Sequence, residues 1–519
     1  MTQEERQSPR TVQTEQAPDT VYTDSTVEYT LPDYLPEIRR VLSVRTRVCE
    51  RGQYTEQGRL ECTGTCVHTL LYQDEAGKPA GVTVPSDYRF FVPLGEGEAV
   101  GTSVWSRPES VTARPMGPRR VSIRARVASR VRVYSAGEAA GAGMSSMGCE
   151  CLTAEGVTRE TRMEESDPLH LSETVSLGVG GECRLLSYDG AARIDRLQTG
   201  TEGLVCEGAL CLTALCAPEV GAPFSVEAKI PFGVTFPGLT EPDALVSARG
   251  VCRELTAEPS VGEGGEGYLT FGAELAVLAT EDVNRSISWP KDLYSTSVPT
   301  KVKHEQRTLW EAVAGGCLPV SAEVSVPVEQ VGAEQAEFVI STTLDAGALS
   351  FREEEGRMLA ETDGRVQMLL GMPGESGDGT GLFPVSFSVP LSFEVPFATS
   401  MPSDAHLEGE LTVVSVQGRR DRDRLCAVVE GCLSARGARG RAVEMVESFV
   451  SDSDTPFEKK EGQLLAVYLK GGDSLWSLAK RYHTTAAELA RLNQLPLSEE
   501  DSVGDPQLLD GYTRILIET

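Results

Sequence analysis

The sequence predicts a mainly β protein built of three repeated antiparallel β-rich units, followed by a small βααβ domain. Runs that alternate apolar and polar residues recur about every ten residues and are bounded by Gly, Pro and Asp, as in antiparallel strands. Three stretches of the chain resemble one another weakly, which indicates an internal repeat. Helical periodicity with helix caps is confined to roughly the last fifty residues.

Length and composition favour a folded protein of several domains in a reducing compartment. The chain has 519 residues, of which 40% are hydrophobic, enough for several cores. Its 13 cysteines are scattered and odd in number, as is typical of reduced thiols. No apolar run approaches the ~18 residues of a membrane span, and the start of the chain lacks the pattern of a secretory signal. We therefore expect a cytoplasmic protein without membrane insertion.

The charge of the chain is strongly negative and unevenly distributed. The formal net charge is −29, which argues against non-specific binding of nucleic acid. Residues 28–137 nevertheless contain 16 Lys/Arg against 12 Asp/Glu, a net charge of +4, so the remainder carries −33. This asymmetry indicates either an acidic partner or self-association between unlike segments.

Composition shifts divide the chain into a polar tail, units joined by linkers, and a C-terminal domain. The predicted segments in chain order are a disordered tail (1–26), the first β unit (27–137), a Gly/Ala-rich linker (138–163), the second unit (164–283), the third unit (284–450), a solvated linker (451–463) and the βααβ domain (464–519).

The repeat is carried by corresponding strands in each unit. Leu60–Tyr72 aligns with Leu204–Cys216, and Glu361–Gly371 is a degraded third copy. A turn and a proline-containing strand follow each copy. Every unit then closes on a strand with apolar and polar residues in alternation, which predicts one buried face. These closing strands are Val121–Tyr134, Tyr268–Ala279 and Leu425–Ser434.

Capping patterns predict the two helices of the C-terminal domain. Asp473 is expected to cap the first helix, on whose apolar face Trp476 lies. Thr485 and Glu488 form the capping-box pattern of the second helix. The apolar run 513–517 then predicts a closing strand.

Over residues 464–517 this domain closely resembles a LysM domain, a module that binds ligands and catalyses nothing. The resemblance rests on Gly-Asp-Ser-Leu-Trp at 472–476 and Leu-x-x-Leu-Asn at 489–493. It implies a ligand groove between the turn before the first helix and the loop after the second. Carried onto this chain, the groove residues are Lys470, Gly471, Gly472, Asp473, Ser474, Leu475, Asn493, Gln494, Leu495 and Pro496.

A second interpretation of these positions is structural. Asp473, Trp476 and Asn493 would then only cap, pack and terminate the helices. The chain also departs from the LysM pattern. Gly471 stands where proline is usual, and an acidic loop at 499–505 precedes the last strand.

Repeated β units that end in one LysM domain resemble the SPOCS–LysM proteins of spore-forming Firmicutes, in particular the SipL type. The resemblance of the repeats spans roughly residues 27–450. It implies a non-enzymatic scaffold of the spore envelope, in the mother-cell cytoplasm at the forespore surface and in the spore coat. The implied partners are a coat-basement ATPase (a spore stage IV A type protein) and other coat proteins. The alternative function is binding of peptidoglycan, a polymer containing N-acetylglucosamine (GlcNAc), in the cortex or cell wall.

Arginines on the first closing strand form a second candidate binding surface. Arg124, Arg126, Arg130 and Arg132 share the polar face of this strand and predict a docking face for an acidic protein segment. Arg45 and Arg47 could extend it. The alternative is an ordinary solvated strand face.

Catalytic and metal chemistry find little support in the sequence. Cys62, Cys66 and His68 would share one face of a strand, but a fourth zinc ligand is missing and Cys66 aligns with Leu210, which favours core packing. The five histidines offer no catalytic triad. We expect no enzyme activity, no metal and no cofactor.

Overall fold

The computed structural model describes residues 11–16, 19–95, 98–138, 149–373, 380–398, 401–402, 404–452, 454–457, 462–495 and 503–518. Over these ranges strands dominate, and the α-helices lie in the C-terminal domain. The predicted fold class is confirmed: antiparallel β units precede a small βααβ domain.

Unit 1 (residues 11–138) consists of two sheets. In the flanking sheet, β7 is the central strand and pairs with β1, β2 and β6, whereas the axial sheet has the order β3-β4-β5. The strands are β1 (Thr11–Gln16), β2 (Val21–Thr30), β3 (Arg40–Glu56), β4 (Arg59–Gln73), β5 (Pro79–Pro93), β6 (Glu98–Gly117) and β7 (Arg120–Glu138).

Unit 2 (residues 149–295) repeats this topology. Its strands are β8 (Cys149–Glu165), β9 (Leu169–Gly180), β10 (Cys183–Gly200), β11 (Gly203–Pro218), β12 (Phe224–Phe236), β13 (Leu245–Val261) and β14 (Glu266–Ser295). β14 takes the place of β7 and pairs with β8, β9 and β13 in the flanking sheet. The axial sheet has the order β10-β11-β12.

Unit 3 (residues 300–451) has the same plan with different breaks. Its strands are β15 (Thr300–Pro327), β16 (Phe338–Ala346), β17 (Ser350–Glu354), β18 (Arg357–Pro373), β19 (Thr380–Glu394), β20 (Ala405–Asp421) and β21 (Arg424–Ser451). The continuous β15 and β20 flank β21, and β18 is central in the axial sheet, between β19 on one side and β16 and β17 on the other. Short 3-10 turns occur at Val328–Val331 and Pro396–Ala398.

The C-terminal domain follows as a two-stranded sheet and two helices. Its elements are β22 (Leu464–Tyr468), α1 (Leu475–Arg481), α2 (Ala486–Leu492), a 3-10 turn (Pro506–Leu509) and β23 (Arg514–Glu518). β22 and β23 pair antiparallel. The Thr485–Glu488 capping box of α2 is confirmed.

The predicted repeat alignment selects equivalent strands. The three aligned segments lie in β4, β11 and β18, the central strands of the axial sheets. The three closing segments lie in β7, β14 and β21, the central strands of the flanking sheets. The apolar face predicted for the first closing segment, from Val121 to Val133, is buried.

Two segments predicted to lack regular structure are strands instead. The tail 1–26 contains β1 and the start of β2, both of which pair with β7. The linker 138–163 contains most of β8, which pairs with β14. These predictions were wrong because strands with one solvated face carry few apolar residues. Residues 1–10, 17–18 and 139–148 lie outside the described ranges.

The predicted limits of the second and third units also change. The boundary between 283 and 284 falls inside β14, which continues to Ser295. In the linker 451–463, Ser451 ends β21 and the Phe457 ring stacks on His483 at 3.5 Å between centroids. Residues 453 and 458–461 of that linker lie outside the described ranges.

The axial sheets close into a ring around a common axis. β5 lies against β10, β12 against β16, and β19 against β3, so each unit contacts both others in cyclic order. A β-bulge in the first strand of each axial sheet turns Leu42, Leu186 and Ile340 toward this junction, where all are buried in one apolar cluster. Burial of such side chains stabilises the protein by ~1.5–3 kcal/mol each.

An arginine joins the three units beside this apolar cluster. Arg45 in β3 contacts Asp189 in β10 at 3.0 Å and Asp345 in β16 at 3.5 Å. Burial opposes the charge, but the two carboxylates outweigh it and raise the pKa of Arg45. The ion triad borders a cavity of about 620 Å³ that residues from all three units line.

A second arginine joins the flanking sheets. Arg436 in β21 donates to Asp282 in β14 at 2.7 and 2.8 Å and to the Tyr134 hydroxyl in β7 at 2.9 Å. Asp282 and Tyr134 are almost fully buried. The axial sheets and the flanking sheets are therefore each held together by one guanidinium that reaches all three units: Arg45 in the axial sheets and Arg436 in the flanking sheets.

Gly81 shows how closely adjacent units approach. A Cβ atom added at Gly81 in β5 would lie 1.8 Å from the carbonyl oxygen of Leu186 in β10. The contact is with backbone, which cannot move without displacing the strand. The junction of units 1 and 2 therefore requires glycine at this position.

We predict that Gly81→Ala lowers the free energy of unfolding by about 1–3 kcal/mol, the usual cost of overpacking. Urea denaturation of the full chain would measure it. Gly233→Ala in β12 is the matched control, since an added Cβ there meets nothing within 4 Å. Equal stabilities of the two variants would contradict the close approach.

Candidate functional site

The turn before α1 is the first segment of the predicted groove. Lys470, Gly471 and Gly472 are exposed, and Gly472 has the left-handed φ of 91° that glycine adopts without strain. Asp473 folds back into this turn: its carboxylate accepts from the Lys470 amide at 2.9 Å and from Arg481 at 3.0 Å. These hydrogen bonds hold the pKa of Asp473 below its usual value.

Ser474, not Asp473, caps α1. Ser474 has extended backbone angles, and its hydroxyl accepts from the Ser477 amide at 3.2 Å. The Ser477 hydroxyl in turn accepts from the Ser474 amide at 2.9 Å. The predicted capping role of Asp473 is therefore wrong. The Gly-Gly turn allows the Asp473 carboxylate to reach the Lys470 amide, and the next residue, Ser474, caps the helix.

The loop after α2 is the second segment of the predicted groove. Asn493 is held between α2 and β23, because its side chain donates to Leu489 and Leu516 carbonyls at 2.9 and 2.7 Å and accepts from the Leu516 amide at 2.7 Å. Gln494 is exposed, whereas Leu495 is buried in the core of the domain. Pro496 lies outside the described residues.

The structure thus separates the predicted groove residues into two groups. Lys470, Gly471, Gly472 and Gln494 are exposed. The remaining described positions are buried or form hydrogen bonds within the domain: Asp473, Ser474, Leu475, Asn493 and Leu495. They support the fold, which agrees with the structural interpretation of Asp473 and Asn493. The exposed part of the predicted groove therefore consists of the Gly-Gly turn and the side chains of Lys470 and Gln494.

An aromatic contact fixes the C-terminal domain to unit 2. Trp476 of α1 packs in the core of the domain, as predicted. Its ring contacts that of Tyr294 in β14 edge-on, with 4.8 Å between the ring centroids. Tyr294 is 2% exposed and donates to the Thr484 carbonyl at 2.7 Å. The hydrophobic core of the domain therefore includes a side chain of the β body.

A carboxylate completes this junction. Asp292 of β14 accepts from the Trp476 indole at 2.8 Å and from the Lys480 ammonium at 2.7 Å at both oxygens. Sequence reasoning missed Asp292 and Tyr294, because nothing in a strand some 180 residues upstream marks it as a neighbour of α1.

Comparison with known proteins assigns the C-terminal domain. Residues 469–498 match the LysM domain family. The C-terminal domain is a LysM domain. This family indicates binding of peptidoglycan or another GlcNAc polymer. No curated protein and no solved structure matches the chain. Among the described residues, no helix has the length and apolar character needed to cross a membrane.

The predicted arginine docking face on β7 is divided by the structure. Arg124 is exposed and pairs with Asp24 at 2.6 Å. Arg126 is also exposed and lies over the Tyr22 ring, 4.5 Å from its centroid. These two arginines remain available at the surface, with partners from the neighbouring strand β2.

The other two arginines lie at the junction with unit 3. Arg130 donates to the Gly409 carbonyl at 3.4 Å, and Arg132 pairs with Glu408 and Glu15. The prediction of one continuous exposed arginine face is therefore wrong, because unit 3 covers this part of β7. Arg45 and Arg47, proposed as an extension, line the central cavity instead.

Cys62, Cys66 and His68 are core residues. Cys66 is fully buried, as is its counterpart Leu210, which confirms the packing interpretation. The His68 ring bonds to the hydroxyls of Thr46 at 2.8 Å and Ser86 at 2.7 Å. Burial lowers the pKa of His68 to about 4.

We predict that Asp292→Ala loosens the LysM domain from unit 2, because the Trp476 indole and the Lys480 ammonium lose their acceptor. Loss of a hydrogen-bonded acceptor costs about 1–2 kcal/mol, or roughly tenfold faster opening. Hydrogen exchange of residues 475–492 would measure this. Asp510→Ala, at an exposed position in the same domain, is the control; equal protection in both variants would contradict the junction.

We also predict that His68 makes the protein less stable in mild acid. Because its pKa is lower in the folded state, the unfolded state binds more protons between pH 6.5 and 4, so stability is full above pH 6.5 and falls as the pH drops. Between pH 7 and 5 this contribution is about 2 kcal/mol. Urea unfolding should show that much less pH dependence in His68→Gln than in the wild type. The exposed His170→Gln should match the wild type; the same behaviour in His68→Gln would refute the prediction.

Proposed function

We propose that this protein is a non-enzymatic adaptor of spore-envelope assembly, in which three β units form the body and the LysM domain recruits a ligand. One observation carries the proposal. The LysM domain is attached to unit 2 through Trp476 and Lys480, while Gly471, Gly472 and Gln494 of its groove remain exposed. The body therefore holds the groove in a fixed orientation without occupying it.

The proposed protein partner is the coat-basement ATPase, which this protein would bind at the forespore surface in the mother cell. This choice rests on the resemblance of the repeated β units and their single LysM domain to spore-envelope proteins. The threefold repetition of one topology supports it, since repeated units offer several similar surfaces on which other coat proteins can assemble.

A second candidate function is binding of peptidoglycan through the same groove. The LysM match favours it, and so does the composition of the turn before α1. A Gly-Gly turn presents backbone donors and acceptors without side chains, a surface that can approach the acetamido groups of a GlcNAc polymer closely.

We predict that Gly471→Phe weakens ligand binding while leaving the fold intact. An added Cβ at Gly471 meets nothing within 4 Å, and its φ is not in the left-handed region, so the ring would fill the groove without backbone strain. Binding should weaken at least tenfold, the effect of ~1.4 kcal/mol. The measurements are biolayer interferometry with the purified ATPase and co-sedimentation with purified sacculi.

The control for this prediction is Ala487→Phe, which adds the same ring at an exposed position of α2. If Gly471→Phe loses binding of the ATPase but not of sacculi, and the control keeps both, the adaptor function is supported. If it loses binding of sacculi but not of the ATPase, the second candidate function is supported. Unchanged binding of both ligands would show that the groove is not the site, and the proposal would be wrong.

A further inference from the structure

The LysM sheet presents an apolar face to solvent. Side chains of β22 and β23 alternate between the helices and the outside: Ile515 and Ile517 are fully buried, whereas Tyr468 is 72% exposed and Leu464 63%. The outward face, in register across the two strands, consists of Leu464 opposite Glu518, Ala466 opposite Leu516, and Tyr468 opposite Arg514. A contiguous apolar patch of this kind marks an interaction surface.

The charges on this face are arranged symmetrically about its apolar centre. Arg514 and Glu518 lie two residues before and two residues after Leu516, so each is about 7 Å from it along β23. Neither forms an ion pair with another described residue. The two ends of the face therefore carry opposite charges that have no ion-pair partner in the part of the chain that the structure describes.

We propose that this face binds the same face of a second copy of the chain in a two-fold symmetric dimer. A two-fold axis that lies between the sheets and runs perpendicular to the strands brings Arg514 of each copy over Glu518 of the other. The same rotation stacks Leu516 on Leu516, and Tyr468 on Leu464. Sheets packed face to face in this way stand about 10 Å apart.

Self-complementarity is what selects a second copy as the occupant. In a two-fold interface the same patch meets itself, so its charges must be complementary after rotation. This face meets that condition with one cation and one anion at equal distances from an apolar centre. The contact then has two ion pairs, one at each end, and each is formed by Arg514 of one copy and Glu518 of the other. Its centre is apolar.

We expect a weak dimer that can bind ligands bivalently. The face is much smaller than the ~800 Å² per partner of a stable complex, so we expect a dissociation constant in the micromolar range. Resting on the proposed function, the dimer would present two LysM grooves together. A polymeric or clustered ligand would then be bound bivalently, which raises the apparent affinity without any new contact in the groove.

Sedimentation velocity of the full chain, over concentrations up to the order of 100 µM, tests the dimer directly. The wild type should dimerise reversibly. Arg514→Glu and Glu518→Arg should each weaken the dimer at least tenfold, because both ends of the interface would then oppose like charges. The double variant Arg514→Glu/Glu518→Arg should restore it, since the two charges have merely exchanged ends. Arg491→Glu, exposed on α2, is the control and should dimerise as the wild type does.

A monomeric wild type would overturn the proposal and leave the face to a different protein. A dimer that withstands both single charge reversals would overturn it too, since it would form elsewhere. The result is separable from the groove experiment. Gly471→Phe should still dimerise, and the monomeric Arg514→Glu should still bind a monovalent ligand through its groove.

Discussion

Burial of Leu42, Leu186 and Ile340 at one axis is the constraint on which the rest of the molecule depends. Each residue comes from a different unit and is placed by the same bulge, so no unit can cover its own share of this cluster. The guanidinium groups of Arg45 and Arg436 then tie the two layers across the same junction. Separating one unit would expose the other units' share of this cluster to water, which favours unfolding of the three units together.

The orientation of the LysM domain follows from that ring. β14 is the central strand of a flanking sheet, and its far end carries Asp292 and Tyr294 beyond the body of the unit. Because this strand is fixed by its neighbours along most of its 30 residues, the groove attached to its end inherits the orientation. The binding module is therefore part of the architecture and not a tethered appendage.

Sequence periodicity was sufficient to predict the repeated strands but not the way in which the units pack together. Alternation along the closing strands and the capping box at Thr485 are local signals, and both were predicted correctly. Asp473 was misassigned because two adjacent residues could cap α1, and only the turn geometry decides between them. Arg132 was misassigned because alternation distinguishes the two faces of a strand but not solvent from a neighbouring unit. The contact between Asp292 and Trp476 links distant segments and leaves no local trace.

The composition of the ion triad has a consequence for how such a ring can be made. Arg45 and Asp189 occupy the same position in their units, three residues after the bulged Leu42 and Leu186. Three identical subunits around an axis would bring three arginines, or three aspartates, to that position, and like charges there would repel. A single chain escapes this restriction, because each copy can carry a different residue at the shared position. The ion pair between Arg45 and Asp189 therefore depends on divergence between two copies of the repeat, which a single chain allows.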